Sequence, residues 1–499
     1  MKNIKNLLVC ILAVVMCAVL FTACQTPEST STVTPQPSGT QELEDVAPKP
    51  EKIAMVAGDE YRIFVHNNMV ENEVVDGVTG GNRAEEARQR WLDFQEEYGV
   101  TVTWVANTGG EAWIDAVMQP ASAGEPIADI FHMGGPFVIP LALGFGGTVA
   151  GTYFDDLSVY GEYTNFDDNA FWDQSAQKSM GYYNGGLYVV VPHAEGWGAA
   201  AVNQVAFFNK ALIKEGGYSS EEMYRLYNSG EWTFDKYREI ALACTNVDKG
   251  VYGTAVAQNG MAILSMITSN GASVLTPDEN GIPYFTADSE KSLRAINFFL
   301  DMCKTDGSVC TENGTGQVEV NLFKKGSIAI MLTYANRATE GEGPRGGALY
   351  QKEDIDYGII LPPKGPDADD YMSDKNWASP LAVVKGHENP AGVAQCLSYY
   401  MCPSTPVGGA TQNMLLEAEA QNYFRDNESI QTLKDAVAKN VTTSYMVYWQ
   451  SRNSEDLTLA VATTYQFGRW ISGESTPEID YATFKDAINV ILANTASGQ

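Results

Sequence analysis

Apolar stretches of strand length alternate with stretches of helical periodicity, and this alternation constrains the fold more than any other feature of the chain. Tyr61-Arg62-Ile63-Phe64-Val65-His66 reads as a strand, followed by a polar loop that begins Asn67-Asn68. Ala84, Ala87, Trp91, Phe94 and Tyr98 recur three and four residues apart, which predicts a helix over 84–98 closed by Gly99. A strand over 100–105, a short helix over 111–118 and a strand over 127–133 follow, the last opening into Gly134-Gly135-Pro136. Such an order predicts an α/β fold with a largely parallel sheet and helices on its faces. Further strands are expected over 188–192, 199–209, 328–332, 357–361 and 381–384. Helices are expected from the N-cap Thr233 to Cys244, over 290–302 and over 390–401, and the final hundred residues read as mostly helical. Residues 53–499 exceed what one hydrophobic core usually organises, so two lobes are expected.

The chain begins with Lys2 and Lys5, then an unbroken apolar run over 7–20, then Phe21-Thr22-Ala23-Cys24. A run this short falls below the roughly 20 residues of a spanning helix and fits a secretory signal peptide over 1–23. Cysteine directly after small residues resembles the bacterial lipobox, which implies lipidation of Cys24, with palmitate among the acyl chains, and an extracellular, membrane-anchored protein. Phe21 stands where the lipobox usually has Leu. Residues 24–52 are rich in Thr, Ser, Pro, Gln and Glu, too poor in apolar side chains to offset ordering entropy, and read as a disordered tether. The formal net charge of −30 argues against nucleic acid and anionic lipid headgroups as partners. Five cysteines remain after the leader, so a full disulfide framework is excluded; Cys303 and Cys310 flank a helix end and could pair.

Catalytic signatures are missing: no Gly-x-Ser-x-Gly, no His-Glu-x-x-His and no phosphate-binding Gly-x-x-x-x-Gly-Lys-Ser/Thr occurs. His66, His132, His193 and His387 are not closely paired in sequence, and Asp367-Ala368-Asp369-Asp370 lacks the glycine of a calcium loop, so no metal and no cofactor is expected. A glycoside hydrolase stays open as an alternative, because paired carboxylates have no fixed spacing.

The order of several segments is similar to that of extracellular solute-binding proteins, the substrate receptors of ABC importers, and most of all to the maltose-binding-like sugar receptors. Tyr183-Asn184-Gly185-Gly186-Leu187-Tyr188 leading to Pro192, Ala206-Phe207-Phe208-Asn209-Lys210, and Gly230-Glu231-Trp232-Thr233-Phe234-Asp235 carry the resemblance. So do Phe323-Lys324-Lys325-Gly326-Ser327-Ile328-Ala329-Ile330-Met331, Asp356-Tyr357-Gly358-Ile359-Ile360-Leu361-Pro362 with Lys364-Gly365-Pro366, and the run 377–390. It implies the periplasmic-binding-protein type II fold, two discontinuous α/β lobes around a ligand cleft. Lobe 1 is expected over 53–195 and 355–405, lobe 2 over 196–354, and a helical segment packing on both over 406–499. The protein would be a monomer that captures a carbohydrate ligand and presents it to a membrane permease of an ABC transporter. A peptide or polyamine remains an alternative ligand.

Ligands of open parallel sheets sit beyond the carboxyl ends of the strands. This places Asn67, Asn68, Met133 and Gly134 at the mouth of the first lobe. Glu195 and Trp197 follow the 188–192 strand on the bridge between lobes. A sugar presents apolar faces and a hydroxyl rim, so its receptor needs aromatic plates and fixed polar groups. The resemblance implies a cleft-lining loop at Tyr334, Asn336 and Arg337 after the 328–332 strand and a late helix reaching the cleft at Tyr445 and Trp449; with Trp377 before the 381–384 strand they complete the expected site.

Overall fold

A computed structural model describes residues 49, 51–66, 84–107, 121, 123–132, 151, 153–257, 261–312, 318–339, 348–352, 355–375, 380–441 and 467–497. The expected helix over 111–118 lies outside these residues.

The first sheet grows from β1 (Glu60–His66), which pairs in parallel with β2 (Thr101–Asn107) on one side and β3 (Ile130–His132) on the other. Helix α1 (Ala84–Tyr98) makes the first crossover, where the periodicity placed it. Tyr61, Ile63 and Val65 point to one face of β1 and enter a core with Trp91, Phe94, Val100 and Val102. Phe64 points to the other face and stacks on Phe131, ring centroids 4.8 Å apart. Burial on both faces is what a near-continuous apolar strand in a parallel sheet requires.

The chain then departs from the expected strand over 199–209. Gly196 turns with φ +56°, and the short helix α2 (Trp197–Ala201) forms before the strand β4 (Gln204–Asn209). The run Ala199-Ala200-Ala201 favours helix, and tertiary context left the strand only its apolar second half. Val189, Val190 and Val191 are buried, yet the stretch 188–192 contributes single bridges, Val190 to Leu381 and Pro192 to Trp172; a proline cannot donate to a ladder. Helix α3 (Phe234–Cys244) opens on Thr233, whose side chain accepts from Lys236 N, and buries Phe234, Tyr237, Ile240, Ala241 and Cys244 as its spacing required. Helix α4 (Met261–Ser269) packs on β5 (Ile330–Tyr334), which runs antiparallel to β4.

Strand β6 (Tyr357–Ile360) pairs antiparallel with the other edge of β4. The expectation that this strand had already returned to lobe 1 by residue 355 is therefore displaced: it is an edge of the second sheet. The return comes later, at β7 (Leu381–Val383), which pairs antiparallel with β3. Apolar strands of either lobe look alike in sequence, and only pairing separates them. Helix α5 (Pro390–Tyr400), capped by Asn389 with proline in its first turn, covers the first sheet. Helices α6 (Ala410–Ala420) and α7 (Asn427–Ala438) belong with the second: Ile359 N donates to Ser429 Oγ at 3.1 Å, and Tyr357 OH donates to Tyr423 O. The long helix α8 (Pro477–Ser497) packs on the strand Pro283–Phe285. All five described cysteines are free, Cys303 and Cys310 included, and four are buried among apolar side chains.

Candidate functional site

His66, Asn107 and His132 end the three parallel strands on one edge of the first sheet, and Leu381 enters β7 opposite His132. In the second sheet, Gln204 opens β4 opposite Tyr334, the last residue of β5. The chain passes between the two sheets over 191–203, from 361 to 375 and over 402–410. These passages touch one another: Asn203 bridges Lys375, and Ser373 Oγ donates to Gln204 O at 2.8 Å. Carboxyl ends of parallel strands beside converging connections form the position where α/β proteins bind ligands.

Five of the expected site residues lie in the described part of this region. Tyr334 is 4% exposed, and the Arg337 guanidinium sits 5.8 Å from its ring centroid. Asn336, between them in sequence, keeps a buried Oδ1 with no hydrogen-bond partner. The turn 335–338 packs against α2, and Ala335 N donates to Asn203 O, so Trp197 and the Tyr334–Arg337 group come from neighbouring segments. Glu195 and Trp197 make other contacts within the protein. Glu195 Oε1 accepts from Thr405 N at 2.9 Å. Trp197 N donates to Glu419 Oε2 at 2.6 Å, and its ring lies 5.3 Å from Tyr423 and 5.8 Å from Phe424. Asn67, Asn68, Met133, Gly134, Trp377, Tyr445, Trp449 and Cys24, the residue expected to carry lipid, lie outside the described residues.

The region holds a charged group that the sequence did not single out. Lys375 Nζ lies 3.1 Å from Asp173 Oδ2, with the two side chains 4% and 2% exposed. Burial alone would raise the Asp173 carboxyl, but Lys375, His193 and the Ala176 N–H together hold it below the usual carboxylate range. Burial, followed by the charge of Lys375, pushes the neighbouring His193 imidazole down to about 4, so it is neutral near pH 7. Asp173 and Lys375 are far apart in sequence and share no motif, so nothing local could have paired them. Gln412 and Glu419 were missed for the same reason: they are polar positions of one late helix that serve as acceptors for Gly196 N and Trp197 N.

A groove of about 660 Å³ lies at the other end of the first sheet, around Asp59, Glu60, Arg62, Glu125 and His387, where β1 begins. It is remote from the connections between sheets. Among the described residues no group of three His, Cys, Asp or Glu could hold a metal ion, and no helix is long and apolar enough to cross a membrane.

Residues 80–401 match the family of bacterial extracellular solute-binding proteins, a span that runs from before α1 through β7 and α5. A search of curated sequences gave no match. Among solved structures, the cyclic α-maltosyl-1,6-maltose binding protein of Arthrobacter globiformis aligns with a TM-score of 0.59 at 12% identity, covering 88% of this chain and 100% of that one. The sugar-binding protein MalE of Xanthomonas citri aligns at 0.56 and 14% identity, over 87% and 98%. The GacH receptor of Streptomyces glaucescens, described in complex with acarbose, aligns at 0.52 and 19% identity, over 88% and 99%. The fold of these structures is that of type II periplasmic binding proteins.

Proposed function

We propose that this chain, which belongs to the bacterial extracellular solute-binding proteins, captures a sugar or oligosaccharide between its two lobes and delivers it to the permease of an ABC importer. The observation that carries the reading is the family match over 80–401, which takes in the second sheet, three of the four strands of the first, and two of the three passages between them. The three structural neighbours named above bind sugars or sugar-like ligands according to their own descriptions, and that supports carbohydrate as the ligand class. The fate of Glu195 also favours a neutral ligand over a polyamine. A polyamine site needs several carboxylates, and Glu195, the one carboxylate among the expected site residues, accepts from Thr405 N.

The mechanism proposed is clamp closure. A ligand seated at the carboxyl ends of β1–β3 touches the second lobe only when the lobes approach, so it stabilises the closed arrangement by its extra contacts there. Tyr334, Asn336 and Arg337 present an aromatic face, an amide and a guanidinium from the second lobe. Asn67, Asn68, Met133 and Gly134 serve from the first, with Trp377, Tyr445 and Trp449 as stacking plates. The lipid on Cys24 and the tether over 24–52 keep the receptor beside its permease.

Thermal-shift screening against mono- and oligosaccharides tests this. A true ligand at 100 times its Kd adds about 2.7 kcal/mol of stability without being consumed. Release of shorter sugars during incubation would identify a glycoside hydrolase instead.

A further inference from the structure

The passages between lobes contain a switch of partners that locates the hinge. On the first passage, His193 N donates to Phe171 O at 2.9 Å, a first-lobe contact. Three residues later, Gly196 N donates to Gln412 Oε1 at 3.0 Å and Trp197 N to Glu419, both on the second lobe's α6. The switch falls on Ala194–Glu195. On the second passage, Lys375 is held by both sides at once, through its backbone bridge to Asn203 and its ammonium on Asp173. On the third, Val407 N still donates to Ala170 O at 2.7 Å, and α6 begins at Ala410. Between them Gly408 takes φ +72°, with nothing within 4 Å of where a Cβ would stand.

We propose that Ala194–Glu195, Lys375 and Gly408–Gly409 are the three pivots of lobe closure, and that the Glu195 carboxylate is the tie that makes them one hinge. The Glu195 side chain starts at the first pivot and accepts from Thr405 N at 2.9 Å, with Thr405 Oγ1 at 3.5 Å, on the third passage just ahead of its pivot. At 7% exposure the bond is shielded from water. Two passages fastened together turn about a shared line; unfastened, each bends alone and the lobes sample a wider range of separations. Glu195 is thus a positioning residue, coupling the passages rather than touching ligand. The inference rests on the two-lobe clamp reading above, but it concerns the protein before any ligand arrives.

Small-angle X-ray scattering of the ligand-free full chain tests it, comparing wild type, Glu195→Ala and Glu195→Gln. The glutamine retains an oxygen that can accept from Thr405 N, so its profile superimposes on wild type. The alanine loses a hydrogen bond to a charged acceptor, which shifts the ratio of extended to compact forms by about tenfold and raises the radius of gyration. A folded Glu195→Ala protein that scatters as wild type does overturns the proposal and returns Glu195 to ligand contact, a role that leaves ligand-free scattering unchanged. If Glu195→Ala does not fold, Gln412→Ala removes the neighbouring tie to Gly196 N and carries the same expectation of expansion. Carbohydrate binding is read separately, so a wild type that binds no sugar contradicts the transport reading and leaves the hinge result standing.

Discussion

Lowering the pH from 7 to 5 is expected to destabilise this protein through one buried imidazole. His132 ends β3 between Val65 of β1 and Leu381 of β7, is 4% exposed, and leaves Nδ1 without a hydrogen-bond partner. Burial pushes its pKa down to about 4, against about 6.5 for an exposed histidine. The folded pKa lies below the unfolded one, so the unfolded chain binds more protons between these two values. Stability is therefore complete above about pH 6.5 and falls as the pH drops toward 4. Linkage over that window gives a loss of about 2 kcal/mol between pH 7 and pH 5 from this residue alone. Urea denaturation of wild type and His132→Gln at both pH values isolates the contribution, because every other titrating group is common to the two proteins. The wild type should lose about 2 kcal/mol more than the variant. Parallel losses in both proteins would refute the reasoning.

Three further outcomes are expected. Lys375→Met leaves Asp173 buried and unpaired, so stability falls by about 3 kcal/mol in denaturant titrations, whereas pairing it with Asp173→Asn recovers much of the loss. A wild-type midpoint for the single variant would mean that the pair is hydrated. Gly196→Ala places a Cβ against Glu419 Oε2 at φ +56°, costing about 2 kcal/mol in thermal unfolding; an unshifted melting temperature would contradict the described turn. Trp377→Ala and Trp449→Ala each weaken sugar binding about tenfold in calorimetry without unfolding the protein, and unchanged affinity in both would remove these residues from the site.

The sequence made the periodic elements legible because their signals are local. The apolar spacing of α1, the Thr233 cap of α3 and the Asn389-Pro390 start of α5 each depend on neighbours within a turn or two. Lobe membership was not legible in this way. Tyr357–Ile360 and Leu381–Val383 are both short apolar strands, and their assignment to different sheets rests on pairing with β4 and β3, which no local pattern encodes. The site divides along the same line. Tyr334 ends β5 and Asn336 and Arg337 lie on the turn after it, a loop that the resemblance to sugar receptors, not a local pattern, singles out. Glu195 and Trp197 follow the 188–192 stretch in sequence, but their partners Thr405, Glu419, Tyr423 and Phe424 come from a distant segment. The buried Lys375–Asp173 pair is a wholly tertiary feature.

The central claim, that two lobes close on a carbohydrate, is tested most directly by scattering from the wild-type chain as an oligosaccharide that stabilises it is titrated in. The account predicts that the radius of gyration contracts and saturates in step with binding. A sugar that binds to saturation while the radius of gyration stays constant would contradict it.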